Sequence, residues 1–143
     1  MVRQDLADLI RERRIETVAR DPEQVALLRE QARAHLQSSR MIGHTDPAGA
    51  FSLAYDSIRK QLTALLLDHG FRAKSAGSHA ATGQAAAKLL KGFDTDGFEW
   101  LRLVRNATAY GSDKQPPAGL ADLEDAWEFA SELDALLPPI TSS

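Results

Sequence analysis

The sequence predicts an all-α protein, an antiparallel bundle of four or five helices. Apolar residues recur every three or four positions through most of the chain, which is the period of an amphipathic helix. Runs of alternating apolar and polar residues bounded by turns, which would indicate half-buried strands, do not appear. Proline, glycine and aspartate divide the periodic stretches into segments of helix length. We therefore expect no β-sheet.

The N-terminal part of the chain, about residues 2–40, predicts two helices. A first apolar stripe runs until Asp21-Pro22 interrupts it, and an aspartate followed by proline is typical of a helix N-cap and first position. A second helix is therefore expected from Pro22 to about Ser39, before the loop IGHTDPAG. The first stripe consists of Leu6, Leu9, Ile10 and Val18.

The strongest helical pattern starts at Phe51 and predicts the central helix of the bundle. Gly70 follows this pattern, and glycine often closes a helix because it adopts the left-handed conformation without strain. The apolar positions of this segment are Phe51, Tyr55, Ile58, Leu62, Leu65 and Leu66.

Three shorter helices are expected in the remainder of the chain. Small residues in FRAKSAGSHAATG indicate a loop, within which Ser78 is a suitable N-cap for an alanine-rich helix. The turn KGFDTDG ends that helix, and Pro138-Pro139 close the last one. The expected spans are Ser78 to Leu90, Phe98 to about Gly111, and Leu120 to Leu137.

A chain of 143 residues is long enough for one domain and short for two, so we expect a single helical domain over residues 1–143. All helices must then share one core. The residues expected to form it are Tyr55, Ile58, Leu62, Leu65, Leu101, Val104, Leu123 and Trp127.

Composition narrows the functional classes. The chain has no cysteine, which excludes a disulfide framework and thiolate chemistry and favours a cytoplasmic location. No run of apolar residues is long enough to cross a membrane, so we expect no membrane association. The net charge of −3 gives no general attraction to phosphate, and any contact with RNA would require a local basic patch.

Motifs of common enzymes and metal sites are missing from the sequence. A di-iron or zinc site in a bundle needs histidine and carboxylate at helical spacing, and no Glu-x-x-His occurs. There is also no glycine-rich phosphate loop and no nucleophile elbow. We expect neither a metal nor a cofactor.

The stretch WLRLVRNATAY carries the remaining chemistry. Arg102 and Arg105 stand three residues apart on one side of a helix, and Asn106 follows, so together they offer guanidinium and amide groups to an anionic or planar ligand. The alternative is that the arginines form surface ion pairs with Glu99 or with a carboxylate of the last helix, which contribute little to stability. Spacing alone does not decide between these interpretations.

Four features of residues 51–137 occur together: an aromatic-Asp-x-x-Arg-Lys face (Tyr55, Asp56, Arg59 and Lys60), a Gly-x-Arg loop, a histidine at the start of the next helix (His79), and RNATAY. On these features the segment resembles the HEPN superfamily, small helical bundles of prokaryotic toxin–antitoxin and defence systems. The family signature is an arginine, a polar residue and, a few positions later, a histidine. Arg105 and Asn106 match its first two positions, and Tyr110 stands where the histidine is expected.

The resemblance implies two alternative activities for this stretch. HEPN ribonucleases cleave RNA without metal, by attack of a ribose 2′-hydroxyl on the adjacent phosphate, in a cleft between two protomers. Arg105 matches the charge-stabilising residue, but Tyr110, with an ordinary pKa near ~10, is a poor base at neutral pH. Either His79 supplies the imidazole from the neighbouring helix, or the chain has the fold without the catalysis.

The resulting expectation is a non-catalytic, antitoxin-like or partner-binding HEPN component of a toxin–antitoxin or phage-defence module, with a nucleotidyltransferase as one candidate partner. The alternative is a metal-independent HEPN endoribonuclease toxin that uses Arg105 with Tyr110 or His79. A third interpretation is a helical scaffold without a ligand. In the first two, we expect Arg59, Lys60, Arg102 and Arg105 to contact the partner or RNA.

We also expect the chain to form a homodimer or a complex with its cognate partner. Trp100 and Leu103 lie on a different helical face from Phe98 and Leu101, which is more apolar surface than one buried stripe requires.

Overall fold

The computed structural model describes residues 6–74, 78–111 and 116–139. Over these residues the chain is mostly helical, with six α-helices, one short 3₁₀ helix at Gly43–Thr45 and one two-stranded antiparallel sheet. In chain order the elements are α1 (Ala7–Arg11), β1 (Ile15–Thr17), α2 (Pro22–Ile42), α3 (Pro47–Asp68), β2 (Phe71–Ala73), α4 (Ser78–Leu89), α5 (Thr95–Tyr110) and α6 (Leu120–Leu136).

Aspartate N-caps determine where three of the long helices begin. The side chains of Asp21, Asp46 and Asp94 each accept hydrogen bonds from backbone N–H groups in the first turn of α2, α3 and α5. Pro22 and Pro47 follow two of these caps at the first helical position, where the missing N–H costs no hydrogen bond.

The central helix is α3, as predicted from its apolar spacing. It packs along α2 and also contacts α4, α5 and α6. Seven of the eight predicted core residues are buried, and the eighth, Trp127, is half-buried and packs against the same core. The prediction of a mostly helical fold with α3 at its centre is therefore confirmed.

The prediction that the chain has no sheet is wrong. Strands β1 and β2 pair antiparallel, with Ile15 opposite Ala73 and Thr17 opposite Phe71. Val18, assigned to the first helix, lies beyond β1, because α1 ends at Arg11 and Arg13 adopts a left-handed conformation with φ of 60°. Strands of three residues are too short to show an alternating pattern, and their hydrogen bonds join segments that are distant in sequence.

Some helix boundaries differ from the predicted ones for local reasons. Helix α2 continues past Ser39 to Ile42, and α3 begins at Pro47, inside the stretch predicted as a loop, because Asp46 caps it. Ser78 is the first residue of α4. Residues 2–5 of the predicted first helix lie outside the described residues. None of the described helices is both long and apolar enough to cross a membrane.

Candidate functional site

Three helices meet around the ring of Tyr55. Tyr55, on α3, is fully buried, and its hydroxyl lies 2.7 Å from Nδ1 of His79 at the start of α4. From α5, the guanidinium carbon of Arg105 lies 5.9 Å from the centre of the Tyr55 ring. His79 and Arg105 therefore contact the same side chain, although they lie on different helices. We call Tyr55, Arg59, His79, Arg102 and Arg105 the Tyr55 cluster.

Arg105 contacts the faces of two aromatic rings, Tyr55 and Tyr110. Its guanidinium carbon also lies 5.8 Å from the centre of the Tyr110 ring. Cation–π contacts of this kind leave the N–H donors of the guanidinium available. Within the described residues, Arg105 forms no ion pair or side-chain hydrogen bond, and Tyr110 is 77% exposed. Asn106 is half-buried beside them.

Arg102 is paired with Glu99, the intrachain partner suggested by their spacing on the helix. Its guanidinium forms an ion pair with Glu99, one turn earlier on α5. Hydrogen bonding from Arg102 is the main reason that the pKa of Glu99 is lowered, and the same hydrogen bond raises the pKa of Arg102. The surface-pair interpretation is therefore confirmed for Arg102 and does not extend to Arg105.

Of the two α3 cations, Arg59 belongs to the cluster and Lys60 does not. Arg59 is exposed, lies 3.8 Å from Asp56, and lines a pocket of about 140 Å³ together with His79 and Arg72. Lys60 Nζ points instead towards α2, where it lies 2.8 Å from His35 Nε2 and 3.3 Å from Gln31 Oε1. The structure therefore separates Lys60 from the other residues predicted to bind a partner or RNA.

Burial shifts the pKa values of Tyr55 and His79 in opposite directions, because it disfavours the charged form of each. Burial raises the pKa of Tyr55 to about 12, although Arg59, Arg105 and Arg102 act against this shift. Burial also lowers the pKa of His79, and the positive charges of Arg59, Arg105 and Arg102 lower it further. At neutral pH, Tyr55 is therefore protonated and His79 is neutral.

These protonation states determine the tautomer of His79. The Tyr55 hydroxyl has no other hydrogen-bond partner in the described part of the chain, and a buried O–H donor requires an acceptor. Among the described groups only Nδ1 of His79 can accept this proton, which assigns the imidazole proton to Nε2. In this state, His79 offers a donor at Nε2 and has no free basic nitrogen.

We expect NMR titration to show His79 with a pKa below 6.5 and the Nε2–H tautomer at neutral pH. Because folding disfavours the protonated form, the stability linked to His79 is present above pH 6.5 and is lost as the pH falls towards its lower folded pKa. Arg105→Gln should raise this pKa, whereas Lys60→Gln should not. An Nδ1–H tautomer in the wild-type protein would contradict the assignment.

Metal ligation has no support at this site. In residues 6–74, 78–111 and 116–139, no group of three or more His, Cys, Asp or Glu side chains is arranged to hold a metal ion. The sequence pattern placed Tyr55 in the core and missed that its hydroxyl contacts His79 while its ring contacts Arg105. Helical spacing carried no signal for that link, because the hydrogen bond joins residues 24 positions apart on different helices.

Comparisons with protein-family models, with curated proteins and with solved structures found no match to this chain.

Proposed function

We propose that this chain is a non-catalytic, HEPN-like subunit of a cytoplasmic toxin–antitoxin or defence module, and that the Tyr55 cluster binds an acidic group of its partner protein. The observation that carries the proposal is Arg105, a half-buried guanidinium held between two aromatic rings without an anionic partner in the described residues. Arg59 and the Nε2–H of His79 supply further donors for the same anion.

The state of His79 favours binding over cleavage. RNA cleavage of the HEPN type requires a group that accepts the proton of the 2′-hydroxyl. His79 uses its basic nitrogen to accept from Tyr55, and Tyr110 occupies the position of the signature histidine. The cluster therefore has donors and positive charge but no available base at neutral pH.

Association through α5, with a second copy of the chain or with a cognate subunit, is part of the proposal. Leu103, two residues before Arg105, is 49% exposed, and Trp100 is half-buried on the same helix. This edge is a surface separate from the Tyr55 cluster, because Leu103 and Arg105 project to nearly opposite sides of α5 and Trp100 lies against α6. Aromatic residues are enriched in protein interfaces. A second copy of the chain or a cognate subunit, such as a nucleotidyltransferase, would cover this edge.

A HEPN endoribonuclease is the second candidate, because the structure places an imidazole and Arg105 on the same tyrosine ring. If Nε2 released its proton to solvent and Nδ1 took one up, the Tyr55 hydroxyl would accept from Nδ1–H instead of donating, and Nε2 would be free as a base. Arg105 would then stabilise the charge that develops on the phosphate.

Incubation of the purified protein with total RNA in the absence of metal distinguishes the two candidates. We expect no cleavage by the wild-type protein and no growth defect when it is expressed alone. Cleavage that disappears in both Arg105→Ala and His79→Ala, with Lys60→Ala still active, would overturn the proposal in favour of the ribonuclease.

A further inference from the structure

A small polar pocket of about 140 Å³ lies between α3, β2 and the start of α4. Sites for drug-sized ligands are larger, roughly 300–1,000 Å³, and mostly apolar. No Asp or Glu occurs among the described residues that line this pocket. Its size and polarity therefore suit a small anion. The lining side chains with hydrogen-bond donors for a ligand are Arg59, Arg72, Ser78, His79 and Thr82.

Thr82 provides a buried hydroxyl that lacks a partner. The residue is 6% exposed, and its hydroxyl forms no hydrogen bond within residues 6–74, 78–111 and 116–139. A buried polar group in this state is unfavourable, and such groups are rare in folded proteins. The hydroxyl oxygen retains accessible surface, and Thr82 lines the pocket, so a ligand there can accept the missing hydrogen bond.

His79 supplies a second donor to the same space. Its Nδ1 faces the hydroxyl of Tyr55, which does not line the pocket. The imidazole proton is on Nε2, at the opposite edge of the ring, where the described residues offer no acceptor. Thr82 follows Ser78 by four residues and His79 by three, so the three side chains project from one face of α4. The positive end of the α4 dipole therefore borders the pocket.

Two arginines add positive charge. The nearest carboxylate to Arg59 is that of Asp56, at 3.8 Å, so most donors of this guanidinium are free. Arg72 binds Glu16 through Nε and Nη2, which leaves Nη1 without a partner in the described part of the chain. Three arginines and one carboxylate act on His79, so the electrostatic potential beside the pocket is positive.

We propose that this pocket binds a phosphate group, either as free orthophosphate or as the phosphate of a small monoester. The Thr82 hydroxyl and the Nε2–H of His79 donate to phosphate oxygens, and Arg59 and Arg72 pair with the negative charge. These donors come from α3, β2 and α4, and a tetrahedral anion presents oxygens to all three, whereas a carboxylate presents two oxygens in one plane. The proposal concerns the chain without a partner and does not depend on the proposed function.

Calorimetric titration with orthophosphate and with phenyl phosphate, at constant ionic strength, tests the proposal. We expect saturable binding, and benzoate should bind about tenfold more weakly than phenyl phosphate. Tighter binding of phenyl phosphate identifies a monoester as the ligand, and tighter binding of orthophosphate identifies the free ion. Thr82→Val keeps the shape of the side chain and should weaken binding about fivefold to tenfold. Arg59→Gln should weaken it about tenfold.

Thr63→Val is the matched control for Thr82→Val. Thr63 also lines the pocket, but its hydroxyl already donates to the Arg59 carbonyl (2.9 Å), so this variant should bind phosphate within about twofold of the wild-type protein. Circular dichroism melts establish that each variant is folded before titration.

Phosphate binding and partner docking fail separately in these measurements. Arg105 does not line the pocket, so Arg105→Ala should weaken phosphate binding less than Arg59→Gln does, although it is expected to weaken docking of the partner. Failure of the wild-type protein to bind either phosphate probe overturns the proposal. Equal affinity of folded Thr82→Val and wild-type protein also overturns it, because the buried hydroxyl would then not contact the ligand.

Discussion

Arg105→Ala is expected to weaken binding to the partner protein by about 2–5 kcal/mol, the effect typical of removing one member of a buried charge pair. This corresponds to a loss of roughly 30- to 4,000-fold in affinity. Arg105 is half-buried and has no anionic partner of its own in the described residues, so its donors are free for an interface. Isothermal titration against the proposed partner, with a nucleotidyltransferase encoded by an adjoining gene as the first candidate, measures the change.

Two other cations of the chain provide matched controls for Arg105. Lys60→Ala should leave partner affinity unchanged, because Lys60 Nζ is directed to His35 and Gln31 on α2. Arg102→Ala should have a smaller effect than Arg105→Ala, because Arg102 is already paired with Glu99. A partner that binds wild-type and Arg105→Ala proteins equally would show that the Tyr55 cluster is not the docking site. Melting temperatures should differ little among the three variants.

Leu62→Ala is expected to lower the free energy of unfolding by about 2–5 kcal/mol, because it removes a large side chain from a packed core. Leu62 is fully buried on α3, the helix that contacts every other long helix. Its neighbours belong to one continuous core, so the space left by the side chain cannot collapse without moving several elements. Urea unfolding followed by circular dichroism gives the value.

Leu27→Ala on α2 is the control for Leu62→Ala. Leu27 is 54% exposed, and a change at such a position is usually within about 0.5 kcal/mol. A loss below about 1 kcal/mol for Leu62→Ala would mean that α3 is not the centre of the core.

The candidate site was predictable from the sequence only in part. RNATAY, the aromatic-Asp-x-x-Arg-Lys face and the histidine that opens the following helix indicated Arg105, Arg59 and His79, and the structure brings these three around Tyr55. The same pattern included Lys60, which the structure directs to α2. Adjacent residues on a helix point about 100° apart, so the rotation of α3 in the bundle decides which of Arg59 and Lys60 faces α4 and α5.

The sequence by itself indicated the five longer helices and their buried faces, but not the start of α3 at Pro47 or the strand at Ile15–Thr17. Asp21 and Asp94 cap helices through hydrogen bonds to residues two or three positions away, and Leu62 is buried because its helix has one continuous apolar stripe. These features depend on contacts within one segment, whose geometry the backbone fixes.

Only the tertiary structure decided which distant side chains meet. The pairing of Ile15 with Ala73, the hydrogen bond from Tyr55 to His79, and the different environments of Arg102 and Arg105 all depend on how whole segments are placed. A shift of a few ångströms or a rotation of one helix would break these contacts while leaving every local pattern intact. For this reason the sequence predicted the helices of this protein and their apolar faces, and the packing of those helices determined the chemistry of the Tyr55 cluster.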